Sequence, residues 1–259
     1  MPARIRRDET GIVTFGRRTF FDDVWDYTEG DCVTILAPYG GGKTQIGFEA
    51  LAATATPELP ATVFVMKPRD KTVDRFARAN EYLITRNWPP PRPRRLLRIG
   101  QGGPAGYILW PDEETGDPDI DDRRQTAIFR RAIRMMYKAA GERSKRKRRP
   151  SIIFCDETYS LEHELGLAKD LRRVWTKGRS VGCGLWAASQ RPVWISRWAL
   201  QAQHLFLAYD PDLDMQKRYG EIGGGLRPEI VSSLVAQLER FQFLYINREE
   251  RAMCIVDAN

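Results

Sequence analysis

The sequence predicts an α/β fold with a mainly parallel central sheet flanked by helices. Three observations carry that expectation. The apolar run Asp31-Cys32-Val33-Thr34-Ile35-Leu36 leads into the glycine-rich turn Ala37-Pro38-Tyr39-Gly40-Gly41-Gly42-Lys43-Thr44, and a helical stretch follows through Gln45-Ile46-Gly47-Phe48-Glu49-Ala50-Leu51. Two further apolar runs, at 61–66 and 151–155, have the length and continuity of strands buried on both faces. Stretches of helical spacing separate them. With 259 residues the chain has room for one large domain with a sizeable core. It reads as an N-terminal strand and cap over 1–30, a core over 31–209, and C-terminal helices and closing strands over 210–259.

Strand, glycine-rich turn, Lys-Thr and helix together form the pattern of a phosphate-binding loop. Glycines let backbone N–H groups curl around a polyphosphate without Cβ clashes, and the helix N-terminus adds partial positive charge. The residues assigned to phosphate binding are Ala37, Pro38, Tyr39, Gly40, Gly41, Gly42, Lys43 and Thr44. Lys43 reaches the β- and γ-phosphates of ATP, and the Thr44 hydroxyl is a ligand for Mg²⁺. Ala37 stands where the usual pattern begins with glycine.

Ahead of this loop, residues 12–15 read as a strand, 16–18 as a turn, and 20–27 as a short element packing aromatics, and residues 1–30 together as a segment that caps the sheet or borders the nucleotide base. After the 61–66 strand, a helix is expected with Val73, Phe76 and Ala77 on one face, continued by Tyr82-Leu83. The proline run 88–95 breaks it as a stiff connector. Residues 96–99 and 107–110 are short strand candidates. The acidic segment 111–122 reads as a loop, with Asp121 or Asp122 capping a helix to about Ala140 whose apolar side holds Ile128, Ala132 and Met135. Gly141 ends it. A helix over 163–177 is expected to bury Leu165, Ala168, Leu171 and Trp175.

Composition narrows the function classes. The net charge of +7 favours an anionic partner. Cys32, Cys155, Cys183 and Cys254 lack paired metal spacing and read as buried thiols. His163 and His204 are isolated, so a histidine metal site is not expected. No apolar run reaches the length of a membrane span, and the charged N-terminus has no apolar stretch after it. The expectation is a soluble, cytoplasmic protein.

The 151–155 run ends in Asp156-Glu157. A strand of this kind partners a phosphate loop: Asp156 holds the Mg²⁺ that Thr44 touches, and Glu157, pointing to the other side, polarises the attacking water. Glutamate directly after aspartate suggests a hydrolase with its own base. Just upstream, Glu142 to Pro150 contains Arg143, Lys145, Arg146, Lys147, Arg148 and Arg149. Such a run repels itself and stays extended unless an anion neutralises it. It reads either as a contact to a nucleic-acid backbone or as a solvated loop.

The stretch Gly178-Arg179-Ser180-Val181-Gly182 leads into an apolar strand ending in Ser189-Gln190-Arg191-Pro192. A glutamine at such a strand end can hydrogen-bond the γ-phosphate or the attacking water. With the phosphate loop and Asp156-Glu157, in this order, the arrangement resembles the FtsK/HerA superfamily of DNA-pumping ATPases over about residues 31–195, with Ser189 where threonine is more usual. Segments at 204–209, 212–219, 228–238, 241–247 and 251–256 also suit it.

The resemblance implies a RecA-like fold with additional strands and a catalytic glutamate. It implies a hexameric or pentameric ring of identical subunits with ATP between neighbours. By position Arg179 matches the arginine that acts on the neighbouring subunit's nucleotide, with Arg172, Arg173 and Arg191 as other candidates. The membrane spans and DNA-reading winged helix of FtsK-like translocases, and the barrel of HerA-like proteins, have no counterpart here. The resemblance is therefore nearest in size to viral and phage genome-packaging ATPases. It implies double-stranded DNA as substrate and a capsid portal or vertex protein as docking partner, in the host cytoplasm. A conjugation- or segregation-type DNA pump and a non-motor ATP-dependent assembly protein are the alternatives.

Overall fold

The computed structural model describes residues 6–7, 11–67, 70–91, 104–111, 115–190, 195–210, 212, 214, 217–223 and 225–258. In chain order the elements are β1 (Arg6–Arg7), β2 (Val13–Gly16), α1 (Arg17–Asp23), β3 (Val33–Leu36), α2 (Lys43–Thr54), β4 (Ala61–Phe64), α3 (Lys71–Ala79), β5 (Leu83–Thr85), β6 (Gly106–Leu109), α4 (Pro118–Ala140), β7 (Ser151–Cys155), α5 (Ala168–Lys177), β8 (Cys183–Ser189), β9 (His204–Ala208), α6 (Pro228–Ala236), β10 (Phe243–Asn247) and β11 (Ala252–Asp257). The fold is mixed α/β with a mostly parallel sheet flanked by helices, as the sequence predicts. Contacts divide the chain into two compact units, residues 1–28, 32–53 and 187–259, and residues 29–31 and 54–186.

In the first unit the strands follow the order β1-β2-β11-β10-β9-β3. The end of β8 lies beside β3, where Ala37 N donates to Ser189 O at 3.2 Å. β3 and β9 are parallel, with Leu36 opposite Leu207; β9 and β10 are antiparallel, with Ala208 opposite Phe243. All four residues of β3 and all five of β9 and β10 are buried, most of them apolar, with Thr34, His204 and Asn247 the polar residues among them. Phe20, Trp25, Phe206 and Tyr245 form an aromatic cluster, with the Phe20 and Tyr245 rings 4.7 Å apart and edge-on. That matches the expected aromatic element, but helix α1 begins at Arg17 where a turn was expected.

In the second unit β7, β4, β6 and β5 are neighbours in that order and pair in parallel, with Phe64 opposite Cys155 and Leu109. Helix α3 starts at the N-cap Asp70, whose carboxylate accepts from Thr72 N at 2.8 Å and Val73 N at 3.2 Å. It buries Val73, Phe76 and Ala77 as expected, but stops at Asn80. Glu81 then takes a φ of +55°, and Leu83 opens β5 instead of extending the helix.

Helix α4 also differs from expectation. Its N-cap is Asp117, accepting from Asp119 N at 3.0 Å, with Pro118 at the first helical position. The buried stripe is Phe129, Ala132, Ile133, Met136 and Ala140, and Met135 is exposed. The apolar residues were sound markers of a helix; the choice among neighbours was decided by the ring of Phe129 stacking on Phe64 at 4.9 Å. Residues 163–177 are not one helix. A π-helical turn, Ser160–Glu164, gives way at Gly166 (φ +61°) to α5, which buries Leu171 and Val174. Residues 106–109, 204–208, 228–236, 243–247 and 252–257 form elements close to those expected. The short helix expected at 212–219 is partly outside the described residues and closes with a 3-10 turn, Arg218–Glu221. The strand expected at 96–99, the arginines of the proline run, and Arg191 also lie outside them.

Candidate active site

In the first unit, β3 delivers the chain directly into the glycine-rich loop 37–44, the expected phosphate loop. Gly40 and Gly42 take φ values of +72° and +88°, the left-handed region in which a side chain is strained. Gly41 N donates to Pro38 O at 3.0 Å, closing the turn. A Cβ on Gly41 would stand 3.0 Å from Pro38 O and 3.1 Å from the Ala37 Cβ. Ala37 is itself buried, so the methyl group at the position usually held by glycine fits because residue 41 carries no side chain. The first residue of α2 is Lys43, buried, with Thr44 half-buried behind it. Gln190 is half-buried at the end of β8, one residue after the Ser189 carbonyl that Ala37 N meets. Tyr39, at the tip of the loop, is 89 % exposed.

A buried arginine braces the loop from behind. Arg17 Nη2 donates to Phe241 O at 2.9 Å, and Nη1 lies 3.4 Å from Glu49 on α2. Neither Arg17 nor Phe241 was singled out in the sequence. They are far apart in the chain, and nothing local marks them.

In the second unit β7 ends at Cys155, and the chain turns at Asp156 and Glu157. Asp156 is buried and Glu157 half-buried. The expectation that the two carboxylates point to opposite sides does not hold: Lys67 Nζ is 3.6 Å from Asp156 Oδ2 and 3.2 Å from Glu157 Oε1. Strand alternation stops where the turn begins, so one ammonium reaches both. Lys67 is brought there by β4, the parallel neighbour of β7, and its carbonyl is held by Trp110 Nε1 at 2.7 Å. Burial pulls the Lys67 pKa down, but Asp156 and Glu157, with Asp70, more than offset it and hold it above the ordinary lysine value. A lysine two or three residues past a buried strand that pairs with the carboxylate strand was the signal available in the sequence.

Arg179 follows α5 in a short 3-10 turn, Arg179–Val181, and its Nε lies 3.0 Å from Oδ1 of the buried Asp31. Gly30 makes room for it: a Cβ there would meet the Arg179 backbone at 2.9 Å. Arg172 and Arg173 are exposed on α5.

The cationic run is not extended. Lys147 N and Arg148 N both donate to Ser144 O at 2.9 Å, and Arg149 N to Ala139 O at 3.0 Å, so it folds back as a cap on the end of α4. Arg148 pairs with Glu29 and donates to the Ala140 and Val181 carbonyls, while Arg149 Nη1 donates to the carbonyls of Arg146 and Arg148. Hydrogen bonds to backbone carbonyls fold the run back, and one carboxylate offsets the charge of Arg148. Arg143, Lys145, Arg146 and Lys147 remain exposed.

Thr44 in the first unit and Asp156 in the second each carry oxygen donors of the kind that hard cations such as Mg²⁺ take. Among the described residues no group of three or more His, Cys, Asp or Glu could hold a metal by itself.

The fold is that of P-loop ATPases of known structure. Among solved structures the chain is similar to the genome packaging NTPase B204 of Sulfolobus turreted icosahedral virus 2, solved with AMPPCP: 13 % identity, TM-score 0.56, with 90 % of this chain and 100 % of that one covered. B204 of Sulfolobus turreted icosahedral virus, described as a DNA-packaging ATPase, matches at 13 % identity and a TM-score of 0.57, again over 90 % and 100 %. VirB4 of Thermoanaerobacter pseudethanolicus matches at 12 % identity and 0.62, over 98 % of this chain and 96 % of that one. No family model matches the sequence, and no curated protein does. Among the described residues no helix is long and apolar enough to cross a membrane.

Proposed function

We propose that this protein is an ATP-hydrolysing double-stranded DNA translocase, the subunit of a ring-shaped motor that packages a viral or phage genome. The observation that carries the reading is the loop 37–44, with left-handed Gly40 and Gly42 leading into a helix that begins at Lys43, within a fold that covers the whole length of a viral DNA-packaging ATPase. Lys43 binds the β- and γ-phosphates. Thr44 and Asp156 hold Mg²⁺, which when bound neutralises charge on those phosphates. Glu157 accepts the proton of the water that attacks the γ-phosphorus, as the bond to the departing ADP breaks. Gln190 positions that water or the γ-phosphate. Arg179 serves the nucleotide of the adjacent subunit, where its cation stabilises charge developing on the transferred phosphoryl. What supports joining the loop and the carboxylates in one reaction is their order along the chain, shared with the superfamily.

The exposed cations Arg143, Lys145, Arg146 and Lys147 grip DNA through its phosphates, as a motor indifferent to sequence requires. Arg148 and Arg149 shape that turn. The docking partner is a capsid portal or vertex protein, and the site of action is the host cytoplasm. The second reading is an ATP-driven machine that does not package genomes, such as a conjugation-type pump or an assembly ATPase. It is favoured by the match to VirB4, whose TM-score exceeds that of B204, and by a match at 17 % identity and 0.51 to EccC, a type VII secretion ATPase of Thermomonospora curvata. ATP turnover measured with and without duplex DNA separates the two. Strong stimulation by duplexes of any sequence is the expected result, and turnover indifferent to DNA overturns the first reading.

A further inference from the structure

We infer that the exposed Phe241 ring is the stacking platform for the base of the bound nucleotide, and that Arg17 fixes it in place. The inference rests on the reading of residues 37–44 as a nucleotide phosphate loop, and all of its residues lie in the first unit. β3 and β9 run parallel and β10 antiparallel to β9, so the ends of β3 and β9 and the start of β10 share one edge of that unit's sheet. That edge carries the phosphate loop. It also carries Tyr39, Tyr209 and Phe241, three of the exposed large apolar side chains among the described residues. Aromatic rings left open beside a polyphosphate site suit a flat apolar partner with a polar rim, which describes a nucleobase.

Tyr39 lies within the loop, and Phe241 approaches the loop from outside it. Its Cδ1 lies 3.2 Å from where a Cβ on Gly42 would stand, so glycine at 42 serves both its φ of +88° and the approach of this ring. Phe241 has a backbone φ of +69°, a region that a bulky residue rarely adopts unless its surroundings hold it there. Arg17 is what holds it. Its Nη2 donates to the Phe241 carbonyl, its Nη1 faces Glu49 on the helix that begins with Lys43, and its buried Nε has no hydrogen-bond partner. One guanidinium thus couples the position of the ring to the helix that receives the phosphates. The Arg240 guanidinium lies over the ring, 4.7 Å from its centroid, and a base on the opposite face completes a cation–ring–base stack. Stacking reads the π face and not the hydrogen-bonding edges, so the site takes nucleoside triphosphates with little choice among bases.

The test compares Mg²⁺-ATP with Mg²⁺-tripolyphosphate, which has the phosphates and no base, by isothermal titration calorimetry. The native protein is expected to bind ATP more tightly than tripolyphosphate, and GTP within a few-fold of ATP. Phe241→Ala and Phe241→Leu are expected to lose about tenfold in ATP affinity and to leave tripolyphosphate unchanged, while Phe241→Trp keeps ATP affinity. The leucine variant keeps the apolar bulk, so its loss cannot be assigned to collapse of the loop. Parallel losses for ATP and tripolyphosphate overturn the inference, because the ring then only props the loop; unchanged ATP affinity overturns it too. A native protein that binds both ligands equally sinks this inference alone. One that binds neither sinks the phosphate-loop reading as well.

Discussion

On the mechanism proposed above, replacing Glu157 by glutamine removes the catalytic base and leaves folding and nucleotide binding nearly intact. The carboxylate has one neighbouring cation whose loss of attraction can be gauged, Lys67 Nζ at 3.2 Å. Coulomb's law at that distance gives ~1.3 kcal/mol in bulk water and ~5 kcal/mol at an effective dielectric constant of about 20. The Lys67 side chain is 40 % exposed, so the pair belongs near the lower figure, and glutamine retains an oxygen that accepts from the ammonium. The fold should therefore lose about 1 kcal/mol at most. The phosphate loop is untouched, so ATP affinity should stay within a few-fold of the parent. What glutamine cannot do is take a proton from water, and turnover should fall by roughly 10²–10⁴-fold. The assay is steady-state phosphate release alongside calorimetric ATP binding and a urea unfolding curve on the same preparation. Turnover at the parent rate refutes Glu157 as the base. Loss of ATP binding or of several kcal/mol of stability refutes the view that the carboxylate acts only in the chemical step.

Four further outcomes are expected. Arg179→Ala withdraws a cation from the buried Asp31 and should cost about 1–3 kcal/mol in denaturant titration, so the trans role is better tested with Arg179→Lys: inactive alone, but recovering activity when mixed with Glu157→Gln, and no recovery in mixed rings shown to form rejects action in trans. Replacing Lys145, Arg146 and Lys147 by serine, with Arg148 kept for its bond to Glu29, should weaken all duplexes alike and flatten the slope of log affinity against log salt by roughly 0.9 per lost phosphate contact; an unchanged slope moves the DNA grip elsewhere. Burial holds the Cys183 and Cys254 thiols up, from 9.0 to about 12, and raises Cys155 well above 9.0, so the native protein should resist iodoacetamide at pH 8 until unfolded. With these folded-state values raised, the unfolded chain loses thiol protons first, so the thiols' contribution to stability should be constant below pH 9 and fall between pH 9 and 12 in denaturant titrations.

The sequence by itself determined the parts of this protein whose chemistry is local. Strands buried on both faces are mostly apolar, so β3, β4 and β7 appear as near-continuous apolar runs in which Thr34, Thr62 and Ser151 are the polar residues. Left-handed backbone at residues 40 and 42 admits glycine with least strain, so the loop announces itself in its composition. The Asp156-Glu157 pair is legible for the same reason, being fixed at the end of one such run. Helix boundaries were less legible, because Asp117, Asp121 and Asp122 are equally good caps by type, and only the bonds that Asp117 accepts from Asp119 N and Ile120 N choose among them. Tertiary structure alone decided the partnerships. The reach of Lys67 to both carboxylates depends on the register of β4 against β7, and the Arg179–Asp31 and Arg148–Glu29 pairs depend on chain reversals far apart in sequence. Arg17 and Phe241 are separated by 224 residues, and neither carries a local mark of its role. A side chain's conformational preference is its own, but its electrostatic partner is whatever the fold brings within a few ångströms.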